Sequence, residues 1–166
     1  VQQLAANSRY QLIVWPEHCL VGSWGHGIQA DVSAALTAWS RSQLKPIHFV
    51  HKGLNPNTEH YSAMCAEVAD PLDASTLPDA AWIAELAAAD LIVIAGEALS
   101  HCVASTVRDL ADQLGGAEKL LLLTDCSSPV AGFAVEGRRF IFEMCVRGMN
   151  TATSEDFIAT MEKTES

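Results

Sequence analysis

Lys52, Cys102 and Asp125 are of types able to do hydrolytic chemistry, and each comes after an apolar run. The stretch from Leu91 to Val103 is the most telling. Its apolar, β-branched run ends at Gly96, and Val103, Val107, Leu110 and Leu114 then recur at helical spacing. A buried strand, a tight turn and a helix are expected there, with Cys102 in the first helical turn. A thiol placed against the free N–H groups of a helix start is favoured as the thiolate, the form that acts as a nucleophile. In open α/β sheets such turns gather at the carboxyl ends of the strands, where ligands bind.

The elements that must position these groups alternate along the chain. Residues 10–15 read as a short extended segment stopped by Pro16, and 16–27 as an irregular glycine-rich loop. Ile28, Val32, Ala35, Leu36 and Trp39 predict an amphipathic helix to about Ser40. Residues 46–52 read as a strand closed by Gly53, which puts Lys52 at a strand's carboxyl end. Asn55 and Pro56 signal a turn, 61–68 is expected to be partly helical, and 70–78 to be surface loop. Asp79 caps a helix to Ala89, and the strand at 90–95 and the helix at 100–114 follow, the latter ended by Gly115 and Gly116. Lys119 to Thr124 is an all-apolar strand of the kind covered on both faces, with Asp125 at its end. A helix at 133–146, a short strand at 149–153 and a last helix capped by Ser154 complete the pattern. Strands alternating with helices imply a parallel sheet between helical layers, a Rossmann-like three-layer α/β sandwich.

Composition narrows the function. With 166 residues the chain is long enough for one domain spanning 1–166. A net charge of −10 and no basic cluster argue against nucleic acid or an anionic membrane surface as partner. The five cysteines are odd in number and lack CxxC spacing, so a reducing cytoplasm is expected rather than a disulfide framework. No apolar run is long enough to span a bilayer.

Four pieces then fall in one order: Trp15-Pro16-Glu17-His18-Cys19 with Gly22 and Ser23, His51-Lys52-Gly53, Tyr61-Ser62, and the turn from Gly96 to Val103. The segment from Asp125 to Val130 is a fifth. Together they resemble the cysteine hydrolases of the isochorismatase and nicotinamidase superfamily. The resemblance implies hydrolysis of the C–N bond of a small amide through an acyl-enzyme on Cys102, with Lys52 holding the thiolate. It also implies a cis peptide at Glu97–Ala98 and an oxyanion hole from the backbone N–H groups of Ala98 and Cys102. Tyr61 matches an aromatic position beside the substrate. His18 matches a metal-ligand histidine, which implies zinc or another divalent metal only if the intact protein supplies further ligands.

The pattern departs from the family upstream. The resemblance places a general-base aspartate and two strands ahead of Tyr10, yet the sequence opens on Val1. The expectation is therefore a carboxyl-terminal portion of a longer protein, a sheet that must close by other means, and a homo-oligomer or association with the missing amino-terminal segment. Asp125 is the surrogate base to consider. His101 is poorly aimed, since consecutive helical residues diverge in direction, and His26, His51 and His60 are left open. The alternative to an amidase is a catalytically impaired module that binds a small molecule or forms oligomers.

Overall fold

The structure, a computed structural model, describes residues 1–6 and 12–164. Contacts divide the chain into two compact units, Val1–Val50 and His51–Ser166.

Among its described residues the first unit holds two helices, α1 (Gln2–Ala6) and α2 (Ala30–Gln43), and a 3-10 turn at Trp24–His26. The Gln29 side chain caps α2 by accepting the Val32 N–H, and Leu44 closes it in the left-handed region with φ 54°. The expected helix is present, but none of its residues is buried, Val32 and Trp39 included. The extended segment expected at 10–15 begins outside the described residues, at Tyr10 and Gln11, and 12–15 form no strand. Nor do residues 46–52, where a strand closed by Gly53 was expected. A strand exists only when its N–H and C=O groups meet a neighbouring ladder, and no such neighbour lies beside either run among the described residues.

The second unit carries the sheet. Its strands are β1 (Ile92–Ile94), β2 (Leu120–Leu123) and β3 (Asn150–Ala152), all parallel in the order β1-β2-β3. Ile92 pairs with Leu120 and Leu122 with Thr151. Helix α3 (Ala80–Ala88) precedes β1, the connections run through α4 (Cys102–Leu114) and α5 (Ala134–Val146), and α6 (Ser154–Thr164) follows β3. An α/β unit with a parallel sheet and intervening helices is thus the architecture.

Apolar periodicity explains the packing. Val103, Val107, Leu110 and Ala111 of α4 are buried with Leu120 and Leu122 of β2 and with Phe140 and Met144 of α5. Asp79 caps α3 by accepting the N–H groups of Ala81 and Trp82. Gly115 ends α4 at φ 76°, its N–H donating to the Ala111 carbonyl. Gly137 brings α5 close to the turn before α4, because a Cβ there would stand 3.4 Å from side-chain carbons of Leu99 and Pro129.

Two local expectations are corrected. Residues 61–68 form no helix, because their backbone donors are bound elsewhere: Ala63 N–H to Thr106 Oγ1, Met64 N–H to Ser62 Oγ, Ala66 N–H to the Thr76 carbonyl and Glu67 N–H to the Glu59 carbonyl. At the last helix the cap is Thr153 rather than Ser154, since Thr153 Oγ1 accepts the Asp156 N–H at 3.2 Å.

Candidate active site

Cys102 is the first residue of α4, immediately after a turn that leaves the carboxyl end of β1. That turn is tightly held. Gly96 N–H donates to the Cys126 carbonyl and Leu99 N–H to the Ser128 carbonyl, while the Glu97 carboxylate accepts from Ser128 Oγ at 3.0 Å. The Glu97–Ala98 peptide is cis, as the resemblance implied. The Ala98 carbonyl takes the N–H groups of both His101 and Val103, at 3.0 and 3.1 Å. The amides of Ala98 and Cys102 find no acceptor among the described residues.

Lys52 reaches this turn from the start of the same unit. Its Nζ donates to Cys102 Sγ at 3.4 Å and to the His60 carbonyl at 2.8 Å. The lysine is therefore placed without the strand expected to carry it. An ammonium at that distance stabilises a negatively charged sulfur more than a neutral thiol. Cys102 is half-buried, so the sulfur is both partly desolvated and reachable.

Tyr61 lies beside the same helix start. Its ring meets His101 edge-on with centroids 5.5 Å apart, and His101 in turn meets Phe133 at 4.7 Å. The His101 Nδ1 shares a 2.8 Å hydrogen bond with Ser100 Oγ. Burial of this imidazole holds its pKa below the ordinary value, opposed by the Glu136 carboxylate. The ring is thus held by Tyr61, Phe133 and Ser100.

Asp125 stands at the end of β2, where the sequence puts it, but its carboxylate faces α6. Oδ1 accepts the Ser154 N–H at 2.8 Å and Oδ2 the Ser154 hydroxyl at 2.6 Å. These two bonds hold its pKa below the usual carboxylate value. His18 belongs to the first unit, where its Nδ1 is 2.7 Å from the Pro16 carbonyl oxygen. Among the described residues no three His, Cys, Asp or Glu side chains are grouped to hold a metal ion. The donors among the described residues do not fit a zinc site.

Three contacts of the site were not read from the sequence. Thr106 Oγ1 donates to the Cys102 carbonyl at 2.7 Å and accepts from Ala63 N–H, fastening the Tyr61 segment to α4. Its position four residues after Cys102, on the same helical face, was the available signal. The Ser154 bonds to Asp125 and the Ser128 bonds to Glu97 join residues about thirty positions apart, and nothing local announces them.

The unit's architecture, with a thiol and an ammonium meeting beyond a parallel strand, defines the class as an α/β fold of the isochorismatase-like kind. Comparison with solved structures bears this out. The chain is similar to a nicotinamidase/pyrazinamidase of Acinetobacter baumanii, at 19% identity over 87% of this chain and 61% of that one, with a TM-score of 0.61. The yeast nicotinamidase matches at 22% identity over 84% of this chain and 58% of its own, with a TM-score of 0.59. A pyrazinamidase of Pyrococcus horikoshii, solved in complex with zinc, matches at 21% identity over 84% and 63%, with a TM-score of 0.57. The chain thus spans about three fifths of the length of these structures. No family model matches the sequence, and no curated protein does so.

Proposed function

We propose that this chain belongs to a cysteine-dependent hydrolase that cleaves the C–N bond of a small amide. The observation that carries the reading is the 3.4 Å approach of Lys52 Nζ to Cys102 Sγ at the start of α4. The Cys102 thiolate attacks the amide carbonyl carbon, forming a C–S bond as the carbonyl π electrons move to oxygen. The uncommitted amides of Ala98 and Cys102 receive the oxyanion. Collapse breaks the C–N bond, and ammonia leaves after taking up a proton. Water then adds to the thioester and releases the carboxylate and the thiolate with two protons, one replacing the proton taken up by the leaving nitrogen and one binding ammonia, so that amide and water give carboxylate and ammonium. Tyr61 lines the substrate side, and the compartment is cytoplasmic.

The test is to quench the protein during exposure to small amides, nicotinamide included, and to map acyl adducts by peptide mass spectrometry. Acylation confined to the Cys102 peptide is expected. Adducts spread over Cys19 and Cys145, or none where ammonia is nonetheless released, would overturn the reading.

A second reading has its own support. With both oxygens of Asp125 on Ser154, no carboxylate is assigned to the proton transfers among the described residues. A binding module without turnover follows if no partner supplies one. A homo-oligomer joined through β1 is one source of such a partner, because β1 pairs only with β2 among the described residues.

A further inference from the structure

The loop that delivers Lys52 is held by one residue twice. The His60 carbonyl accepts the Lys52 ammonium at 2.8 Å, and the His60 ring, through Nδ1, accepts the N–H of Gly53 at 3.2 Å. Gly53 has φ 73°, a turn that reverses the chain directly after the lysine. His60 thus grips the backbone just beyond Lys52 with its ring and the end of the Lys52 side chain with its carbonyl.

We infer that His60 is a positioning residue for Lys52, its neutral ring fixing the Gly53 turn so that the ammonium is aimed at Cys102. This rests on the assignment of Lys52 and Cys102 as the reacting pair. It adds to that pair a residue that acts through Lys52 and Gly53.

The chemistry of the ring sets a condition. An imidazole accepts at Nδ1 only when that nitrogen carries no proton, which requires the neutral form protonated at Nε2. Protonation at Nδ1 turns the acceptor into a donor facing another N–H, and adds a second positive charge beside Lys52. The charged group that acts on the ring is Lys52, and the titratable residues next to the two gripped positions in sequence are His51, Glu59 and Tyr61. Burial and the Lys52 charge both hold the His60 pKa below its ordinary value. The neutral form that the geometry needs is therefore the form that its surroundings favour. Asn at this position retains an acceptor, Oδ1, on the same γ carbon and never gains a proton.

The experiment is the rate of Cys102 alkylation by iodoacetamide in the full chain, read by peptide mass spectrometry against Cys65 and Cys145. It compares the unaltered protein with His60→Ala and His60→Asn, at neutral and mildly acidic pH. His60→Ala keeps the carbonyl that accepts Lys52 and removes the ring that accepts Gly53 N–H, and it is expected to slow Cys102 alone by about threefold to tenfold, the scale of one lost neutral hydrogen bond. His60→Asn is expected to restore the neutral-pH rate and to lose less of it on acidification than the unaltered protein. If the Asn variant fails to restore the rate, or if neither change affects a fast Cys102, the role of His60 is overturned while the reading of Cys102 stands. If Cys102 in the unaltered protein is no faster than Cys65 and Cys145, both are overturned.

Discussion

Lys52 and Cys102 lie fifty positions apart and meet at 3.4 Å. Replacing Lys52 by Met keeps much of the stem and removes the charge. We predict that Cys102 alkylation at neutral pH then falls at least about tenfold, because a charge-assisted hydrogen bond is lost, while that of Cys145 is unchanged. Asp125 belongs to a different network. Asp125→Asn is expected to lower stability by loosening the start of α6, measured by denaturant unfolding at neutral pH. The pH dependence has a defined sign: the folded pKa of Asp125 is lowered, so its stabilisation is complete above the unfolded value of 3.8 and is lost as pH falls through the lower folded value. His60 follows the same rule from a higher start, its contribution being complete above 6.5 and lost as pH falls from there. An unfolding series from neutral to acidic pH, repeated with His60→Asn, separates the two, since only the higher-pH part should flatten. Cys102 was legible as a thiol in the first turn of the helix after a strand, whereas Lys52 was singled out by a strand that does not form and meets Cys102 without it. The hold of His60 on Lys52 was not, since an eight-residue loop leaves no periodicity to read.

At the scale of elements, what was legible depended on where the partners lie. β1, β2, α4 and α5 carry their own apolar pattern and were placed within a few residues, because periodicity and the burial it drives point the same way. Residues 46–52 have the composition of a strand and no ladder beside them, and composition cannot create one. Residues 61–68 lost their expected helix to the Ser62 and Thr106 hydroxyls and to distant carbonyls, competitors invisible in a window of eight residues. The core of the second unit gives a direct stability test. Phe140 is fully buried and lies under the Arg108 guanidinium, 5.5 Å from the ring centroid. Phe140→Ala is expected to cost about 3–5 kcal/mol in urea unfolding. A loss below about 1 kcal/mol would mean that α5 is not packed on α4 and β2 as described.

In the molecule as a whole, β1 has a strand on one side only among the described residues. Leu91 and Val93 at β1 are 43% and 41% exposed. An apolar edge of this kind is a template for another strand. Val93→Lys places a charge on it, and we predict a shift toward smaller species in sedimentation at matched concentration if copies pair through β1; an unchanged distribution would contradict that pairing. The fold was readable from strand and helix alternation together with the order of the short motifs, and the solved nicotinamidases share it over most of this chain and about three fifths of theirs. The sequence does not reveal which carboxylate manages the protons, because the residue best placed by strand order, Asp125, is bound to a serine twenty-nine positions away. The proposed attack of Cys102 on an amide is tested most directly by ammonia release from small amides, nicotinamide included, by the unaltered chain and by Cys102→Ala. We predict release by the former and background levels in the latter; equal release from both, or none from either, would contradict the claim.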